Sequence, residues 1–473
     1  MAILSARALA ALTVEWRSDT GASAYQALAD RIRLLIVDGR ITLGTRLPSE
    51  RELAQHLQLS RTTVSTAYAT LRDAGYLDSI RGSGSVARLP RRSSALADPI
   101  TTELLDFSKA TLPALPDVVA AAERATAQLP AFLGECGFDA LGLVEVRQAI
   151  ADRYTGQGLP TDADEVMITV GAQHAIGLLA RTLVARGDRV LVESPSYPHA
   201  VEALTAVGAR LVAVAVTPQE GWDRAELEQA FPRTSPTAAY LMPDFHNPTG
   251  SSMSPELRDR VVDLAARQGT TLIVDETMAG LELDGRPIAP PFATHGRAVT
   301  IGSLGKSVWG GLRIGWVRAD RELIQRMARV RFAFDLGTPV LEQLILLELL
   351  PDFDNILERR RVQLRVGRDH LVARLAERLP EWDVPHVPGG LTAWVNLGAP
   401  VSSQLALAAR NEGLVIGAGP RFGIDGVFER FLRVPFGYPL DQIDRGVDAL
   451  AAAWNNVMRH PSPVGSGELA QVV

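Results

Sequence analysis

Lysine is almost absent from this chain, which uses arginine at nearly every basic position. Lys109 and Lys306 are the only lysines among its 48 lysine and arginine residues. A primary amine condenses with an aldehyde to form an imine, whereas a guanidinium stays protonated and cannot. Lys306 lies between Ser303 and Arg313, which offer a hydroxyl and a fixed cation. An aldehyde that carries a phosphate suits this group, and pyridoxal 5'-phosphate (PLP) is the common biological example. An ordinary surface lysine is the alternative, and the preference for arginine elsewhere counts against it.

The chain from about residue 105 onward alternates short apolar runs with helical ones. Strands are predicted at "RVLVES", "RLVAVAV", "AAYLMPD", "TLIVDET" and "AVTIGSL", with helices such as "SPELRDRVVDLAARQG" between them. This alternation predicts an α/β domain built around a mostly parallel sheet. In such sheets ligands bind at the carboxyl ends of the strands, where Lys306 also falls. The last 80 or so residues predict a smaller α+β unit packed on that sheet.

Composition places the chain among globular proteins of two or three domains. It has 473 residues, of which 47% are hydrophobic and 22% charged. A single cysteine, Cys136, allows no internal disulfide, and no run of about 20 uncharged apolar residues predicts a membrane span. Arg7 interrupts the apolar part of "MAILSARALAALTVEW", which argues against an export signal. We therefore predict a cytoplasmic protein that does not enter a membrane. The eight histidines show no metal-ligand spacing, so no metal site is predicted.

The charge of the chain is unevenly distributed. Residues 21–92 contain eleven arginines and six acidic residues, a net charge of +5, whereas residues 93–473 carry −11. A basic head on an acidic body is the asymmetry expected when one segment contacts a polyanion.

The basic segment has the pattern of a winged helix-turn-helix domain. A first amphipathic helix ends at Gly39; Ser49 and Glu52 form a capping box for the second, and Ser60 caps the third. Gly75 ends that helix, and "YLDSIRGSGSVARLP" predicts a hairpin. Residues at the start of the third helix are the ones that reach base edges in the major groove. A solvated three-helix domain without DNA-binding function is the alternative.

The words "LPSERELA" and "LSRTTV" resemble the GntR family of bacterial regulators, over roughly residues 22–88. The resemblance implies double-stranded operator DNA as a partner. The DNA contacts that it implies are Arg51, Arg61, Thr62, Thr63, Ser65, Arg81 and Gly82. Ser65 stands where some members of the family carry an arginine, so the base preference is expected to differ.

The body resembles aminotransferases of class I, fold type I, across roughly residues 105–455, because several motifs match in the same order. In "ITVGAQHAI" the amides of Ala172 and Gln173 would hold the phosphate of PLP at a helix N-terminus. In "SLGK", Ser303 would contact the phosphate and Lys306 would form the Schiff base. Arg313 would complete the phosphate site.

The same resemblance implies roles for four residues around the ring and the effector. Tyr197 in "SPSYP" would stack on the pyridine, and Asn247 in "HNPTG" would bond its phenolic oxygen. Asp275 in "IVDET" would pair with the pyridine nitrogen, and Arg433 in "FLRVPF" would bind an amino acid's carboxylate. A core aromatic, a turn cap and a surface ion pair are the alternatives for Tyr197, Asp275 and Arg433.

The chain departs from the aminotransferase pattern at two places. Enzymes of this kind usually carry a tyrosine two or three residues after the pyridine-binding aspartate, where this chain has Thr277 and Met278. A second tyrosine, which reaches the phosphate of the partner subunit in a dimer, is replaced by Phe138. Both changes leave cofactor binding possible while removing hydroxyls that assist turnover.

Together the two halves resemble the MocR (GabR/PdxR-type) regulators. The predicted organisation is a winged helix-turn-helix domain at residues 20–89, a linker at 90–104, a PLP-binding domain at 105–460 and a disordered tail at 461–473. The resemblance implies a homodimeric, PLP-dependent transcriptional regulator whose effector is a small amine, an amino acid or PLP itself. Two alternatives stay open: a working aminotransferase whose head only autoregulates it, and a constitutive DNA-binding protein whose cofactor-free body only dimerises.

Overall fold

The structure is a computed structural model that describes residues 4–13, 23–37, 41, 45–80, 84–88, 104–424 and 427–459. Nearly all of the predicted linker 90–104 and the whole predicted tail 461–473 lie outside the described residues, as do Gly39, Arg81 and Gly82.

The described residues of the head form four helices and a two-stranded hairpin. The helices are α1 (Ala6–Leu12), α2 (Ala24–Val37), α3 (Glu50–Leu57) and α4 (Arg61–Asp73), and the strands are β1 (Leu77–Ile80) and β2 (Gly84–Ala87). The two strands pair antiparallel, as the predicted hairpin requires.

Local hydrogen bonds begin the helices of the head where the sequence predicts. The Glu52 amide donates to Ser49 Oγ at 3.2 Å, and the Ser49 amide donates to Glu52 Oε2 at 3.1 Å, so the predicted capping box is confirmed. The Thr63 amide donates to Ser60 Oγ at 3.0 Å at the start of α4. These caps satisfy amides that a helix N-terminus leaves without an intrahelical partner.

Helix α1 was not predicted as part of the head. Leu9 on this helix is fully buried in the core shared by α2, α3 and α4, and the Leu4 amide donates to the Arg46 carbonyl at 2.9 Å. The apolar segment near the start of the sequence is thus an additional helix of the head.

The body begins with a short strand, and its larger part, which contains the main sheet, extends from α5 to α13. The elements are β3 (Leu105–Asp106), α5 (Asp117–Gln128), α6 (Val144–Gly156), β4 (Val166–Thr169), α7 (Gly171–Leu183), β5 (Arg189–Ser194), α8 (Pro198–Ala206), β6 (Arg210–Thr217), β7 (Gly221–Trp222), α9 (Arg224–Thr234), β8 (Ala238–Leu241), α10 (Pro255–Gln268), β9 (Thr271–Asp275), β10 (Val299–Ser303), β11 (Gly315–Arg318), α11 (Arg321–Arg331), α12 (Val340–Leu349) and α13 (Phe353–Arg378).

Eight of these strands form one sheet, in the order β4-β11-β10-β9-β8-β5-β6-β7. The five strands predicted from the sequence are its central members, and they pair parallel with one another. Strands β4, β11 and β7 pair antiparallel with their neighbours, so the sheet is mixed. Helices α7, α8 and α11 cover one face and α6, α9 and α10 the other. Within the described ranges no helix is long and apolar enough to cross a bilayer.

The smaller unit combines both ends of the body. It contains β12 (Thr392–Asn396), α14 (Ser402–Asn411), β13 (Leu414–Val415), β14 (Phe431–Pro435) and α15 (Leu440–Arg459). Strands β12 and β14 pair antiparallel, as a small α+β unit requires, while β13 pairs parallel with β3. The first residues of the body therefore belong to this unit, which the sequence did not indicate.

Candidate cofactor cavity and DNA-binding surface

A cavity of about 700 Å³ lies at the carboxyl ends of β9 and β10, between the large sheet and the smaller unit. The nine site residues predicted for the body all line it: Ala172, Gln173, Tyr197, Asn247, Asp275, Ser303, Lys306, Arg313 and Arg433. These residues come from seven separate parts of the sequence. The order of the strands in the sheet brings these parts together at the carboxyl ends of the strands.

Lys306 lies inside this cavity on a single π-helical turn, Gly305–Trp309, that follows β10. Its Nζ donates to the carbonyl of Ala110 at 2.6 Å. Burial lowers the pKa of Lys306 to about 8, with the Arg433 and Arg313 cations acting in the same direction and Asp275 opposing them. A neutral amine, the nucleophilic form, is therefore accessible near neutral pH. Lys109, in contrast, is 66% exposed and pairs with Asp106.

One end of the cavity is suited to an anion. Helix α7 begins at Gly171, and its first amides, at Ala172 and Gln173, belong to the turn that has no intrahelical acceptor. Arg313 Nη2 donates to the Val170 carbonyl at 3.1 Å beside that turn. A Cβ at Gly171, whose φ is +77°, would lie 2.9 Å from Arg313 Nη2. Glycine at this position therefore lets the guanidinium lie against the helix N-terminus.

The Ser303 hydroxyl is already engaged within this end of the cavity. It donates to the Ile314 carbonyl at 3.0 Å and accepts from the Gly305 amide at 3.0 Å. Ser303 thus orders the turn that carries Lys306 in addition to lining the cavity.

Asp275, another residue of the cavity wall, is buried and held by two donors. Tyr240 Oη donates to its Oδ2 at 2.7 Å, and the Thr277 amide donates to its Oδ1 at 3.0 Å. Burial, with Asp275 beside it, raises the pKa of Tyr240 well above its usual value, so the phenol remains a donor. Asp275 does cap the following turn, but its carboxylate also faces the cavity. Sequence reasoning missed Tyr240, and the only signal was a tyrosine within the apolar strand "AAYL".

Arg433 is a buried cation without a carboxylate partner among the described residues. Its side chain is 5% exposed; Nη2 donates to the Ser108 carbonyl at 2.5 Å, and Nη1 lies 3.5 Å from Asn247 Oδ1. The guanidinium stacks over Phe422 at 4.7 Å, and Nε has no hydrogen-bond partner. Burial lowers the pKa of Arg433 to about 10. An unpaired buried donor of this kind is costly, so the arrangement favours an anionic ligand. Because Arg433 is buried, it does not form the surface ion pair that was the alternative for this residue.

The remaining walls contain aromatic residues and one segment that the sequence did not indicate. Tyr197 lies edge-on to His199 at 5.4 Å between ring centroids, and burial raises its pKa to about 12. Thr277 and Met278, at the positions that usually hold a tyrosine, both line the cavity. Residues 108–112, which follow β3, line it as well. Their contribution depends on β3 joining the smaller unit, so no local pattern could have revealed it.

Phe138 lies outside this cavity, on an apolar patch that also contains Phe332, Phe334 and Leu336. These side chains are 67%, 61%, 48% and 47% exposed, respectively. The two segments of the patch are in contact, since Arg331 Nη1 donates to the Ala140 carbonyl at 2.9 Å. Large apolar side chains grouped on a surface mark an interaction site.

The predicted DNA contacts that the structure describes lie on α3 and α4. Arg51, Arg61 and Thr62 are exposed, whereas Ser65 is half-buried. Thr63 is also half-buried, and its hydroxyl lies 2.8 Å from Ser60 Oγ. Thr63 therefore serves the helix cap as well as the surface.

A groove of about 760 Å³ connects Arg51 and Arg61 with Arg7 from α1 and with Arg46. None of these four arginines forms an ion pair with a described residue. The sequence did not indicate Arg7 or Arg46, because their position depends on how α1 and the hairpin pack around α3.

Both halves of the chain match known families. Residues 24–86 match the model of bacterial regulatory proteins of the gntR family, and residues 105–450 match the aminotransferase class I and II model. The HTH-type transcriptional regulator YdcR of Escherichia coli K12 is 30% identical over 444 residues, which cover 86% of this chain and 94% of that protein. The 2-aminoadipate transaminase of Thermus thermophilus is 30% identical over 315 residues, covering 64% of this chain and 79% of the transaminase.

The fold is similar to that of solved aminotransferases. The structure of LysN, an α-aminoadipate aminotransferase from Thermus thermophilus complexed with N-(5'-phosphopyridoxyl)-L-leucine, superposes with a TM-score of 0.69 at 27% identity. The match covers 75% of this chain and 93% of LysN. With a gntR domain before an aminotransferase domain in one chain, the protein belongs to the MocR-type subfamily of GntR transcriptional regulators.

Proposed function

We propose that this protein is a PLP-dependent transcriptional regulator that carries its cofactor on Lys306 and senses a small amine or amino acid. The observation that carries the proposal is the Lys306 amine, whose pKa is lowered to about 8 in a cavity that is also lined by a helix N-terminus with Arg313 and by a buried carboxylate. A phosphate-bearing pyridine aldehyde has a group complementary to each of these.

The residues of the cavity fit PLP. The α7 N-terminus and Arg313 would hold the phosphate, since the guanidinium lies beside the first turn of that helix. Asp275, held in place by Tyr240, would keep the ring nitrogen protonated. Asn247 and Tyr197 would contact the ring. That LysN is complexed with a phosphopyridoxyl amino acid supports this assignment, because LysN has the same fold.

When bound, the cofactor supplies an aldehyde carbon at which one amine can replace another. Lys306 provides the resident amine, and its lowered pKa lets it lose and regain a proton at Nζ near neutral pH. Arg433 would bind the carboxylate of an amino-acid effector through the donors that have no acidic partner. Thr277 and Met278 place no phenol beside the ring, which favours slow exchange over rapid turnover.

Two of the cations that line the cavity also contact the start of the body. Lys306 donates to the Ala110 carbonyl and Arg433 to the Ser108 carbonyl, a few residues after the predicted linker to the head. A ligand that binds either cation would break these hydrogen bonds and change the conformational freedom of residues 108–112. We propose that residues 108–112 couple the two binding sites. Effector and DNA would each prefer one conformation of this segment, and two ligands affect each other's binding only when both shift the same conformational equilibrium.

We further propose that the body forms a homodimer through the apolar patch of Phe138, Phe332, Phe334 and Leu336. The patch adjoins residues 139–142, which contact the edge of the large sheet through Leu141 and Ile168. In the dimer two heads would bind two half-sites of an operator, with Arg51 and Arg61 at the DNA. The cytoplasmic location stays a prediction from the sequence.

A working aminotransferase is the second candidate. Its support is the cavity, in which all nine predicted residues are brought together, and the similarity to a 2-aminoadipate transaminase. Incubation with an amino acid and an oxo-acid acceptor separates the two candidates. Many turnovers per site would favour the enzyme, and a change in the visible spectrum without accumulating product would favour the sensor.

The decisive experiment measures DNA binding as a function of cofactor and amine. Operator-like DNA would be selected from a random pool with the PLP-loaded protein, and its affinity measured with and without PLP and with a panel of amines. The proposal requires an affinity change on adding PLP or an amine that disappears in Lys306→Ala. Equal affinity under all conditions, in protein that shows no visible absorption with PLP, would support the cofactor-free alternative.

A further inference from the structure

A second cavity, of about 480 Å³, lies beside the cofactor cavity and shares two wall residues with it. Thr277 and Ser303 line both. The rest of the second cavity is formed by α6, α13, residues that follow β9, residues 288–291, and Gly302, Ser307 and Trp316. Its walls are mostly apolar, and its apolar and aromatic side chains include Tyr154, Trp316, Phe353 and Leu357. Its volume falls within the range of small-molecule sites.

Glu276 provides a carboxyl group to this cavity that has no cationic partner. Its Oε1 accepts from the Phe292 amide at 2.7 Å, and no basic side chain in the described part of the chain forms an ion pair with it. Burial raises the pKa of Glu276 to about 8; Asp244 and Asp275 act in the same direction, and Arg258 opposes them. Arg258 forms its ion pair with Asp244 and none with Glu276.

Ser307 supplies a second polar group without a partner. Its side chain is 5% exposed, it lines the cavity, and its Oγ makes no hydrogen bond with any described residue. Buried hydroxyls are normally paired, so an unpaired one in a cavity wall indicates a ligand or water contact.

The arginines of this cavity do not compensate the Glu276 carboxyl. Arg153 donates to Asp354 at 2.8 Å and stacks over Phe353. Arg361 donates to the Gly280 carbonyl at 2.8 Å and to Glu358 at 3.1 Å. Each guanidinium therefore has an acid of its own, and the cavity retains an uncompensated carboxyl group.

We propose that this second cavity binds a small ammonium compound with an apolar body. The ammonium would pair with Glu276 through one N–H, supplying the cation that the fold lacks, and a further N–H of a primary or secondary amine would donate to Ser307 Oγ. The apolar body would lie against Tyr154, Trp316 and Leu357. Binding at this site does not require a covalent bond to Lys306, so it can be tested independently of the proposed PLP function.

A tertiary amine tests the site because it cannot condense with an aldehyde. N,N-dimethylphenethylamine would be titrated calorimetrically into the full-length protein and into Lys306→Ala at pH 8.5, where the Glu276 carboxylate predominates and the amine is still largely protonated. Equal binding to both proteins is expected. Glu276→Gln is expected to weaken binding at least about tenfold, the size of a lost charge-assisted hydrogen bond. The neutral isostere isopentylbenzene is expected to bind more weakly than the amine.

Glu228→Gln is the matched control, because it removes a carboxylate of the same type that is paired with Arg260 and lies outside the second cavity. It is expected to change the affinity less than about twofold. Ala279→Leu, at a position that lines only the second cavity, provides an independent variant and is expected to reduce binding by filling space. Thermal unfolding would show that each variant is folded. No binding to the unmodified protein, equal binding to Glu276→Gln and Ala279→Leu, or loss of binding in Lys306→Ala would overturn the proposal.

Discussion

The head and the body both present cations to anionic groups, but those of the head are exposed to water and those of the body are buried. In the head, Arg51 and Arg61 are exposed and form no ion pair with a described residue. In the body, Arg433 is 5% exposed and Lys306 is enclosed in a cavity, where burial lowers the pKa of both groups.

This difference indicates how each region recognises its ligand. Exposed charges are screened by salt and individually weak, so the head depends on several arginines acting together on a polyanion. A buried cation has already lost its hydration, so its partner must come from the ligand, and each side chain matters more. Mutations in the body should therefore have larger and more selective effects than mutations in the head.

The largest effect is expected for Lys306→Ala, which removes the cavity amine whose pKa is lowered by burial. Stable attachment of PLP should fall by about two orders of magnitude or more, because Asp106 raises the pKa of Lys109, the other lysine that lines the cavity, and so keeps its amine protonated. Absorbance after desalting, and borohydride reduction followed by peptide mass analysis, measure it. Lys109→Ala is the control, since Lys109 is exposed and pairs with Asp106. Equal labelling of the two variants would contradict the assignment of Lys306.

Arg433→Leu comes next. Losing charge-assisted hydrogen bonds to a carboxylate should weaken the binding of amino acids by about 10- to 100-fold, while amines without a carboxylate should bind as before. Spectral titration of the PLP-loaded protein with an amino acid and its decarboxylated counterpart measures the ratio. Arg421→Leu, which removes a cavity arginine that already pairs with Glu202, serves as the control. If both variants respond alike, Arg433 has no special role.

In the head, Arg61→Ala should weaken DNA binding by about 1–3 kcal/mol and reduce the salt dependence. Loss of one exposed cation leaves the fold intact, because Arg61 forms no described ion pair. Affinity measured at several salt concentrations tests this, with Arg33→Ala as the control because Arg33 pairs with Asp30 on α2. PLP binding should be unchanged. A variant that loses PLP together with DNA binding would show that the two regions are not separable in this way.

The smallest effect is expected from pH. A Lys306 pKa of about 8 makes the neutral amine a minor form at pH 7 and the major form at pH 9. Since burial lowers this pKa, the rate of PLP capture should rise with pH, by about tenfold between these values. Stopped-flow absorbance measures the rate. A midpoint near the ordinary lysine value would show that the amine is less buried in solution.

Local patterns predicted much of the head and of the main sheet. The Ser49–Glu52 capping box, the Ser60 cap and the five parallel strands depend on residues close together in the chain, so they could be found from the sequence. Helix α1 was missed because its apolar face is explained only by the α3 side chains against which Leu9 packs. The segment 108–112 was missed because it reaches the cavity through the pairing of β3 with β13.

By itself, the sequence determined which residues are available to bind a phosphate, a pyridine and a carboxylate, since motif order and the scarcity of lysine are properties of the chain. Only the tertiary structure decided how those groups behave. Burial lowers the pKa of Lys306 and leaves Arg433 Nε without a partner, and Tyr240 reaches Asp275 from a neighbouring strand. Desolvation and contacts between distant segments depend on packing, which no local pattern specifies.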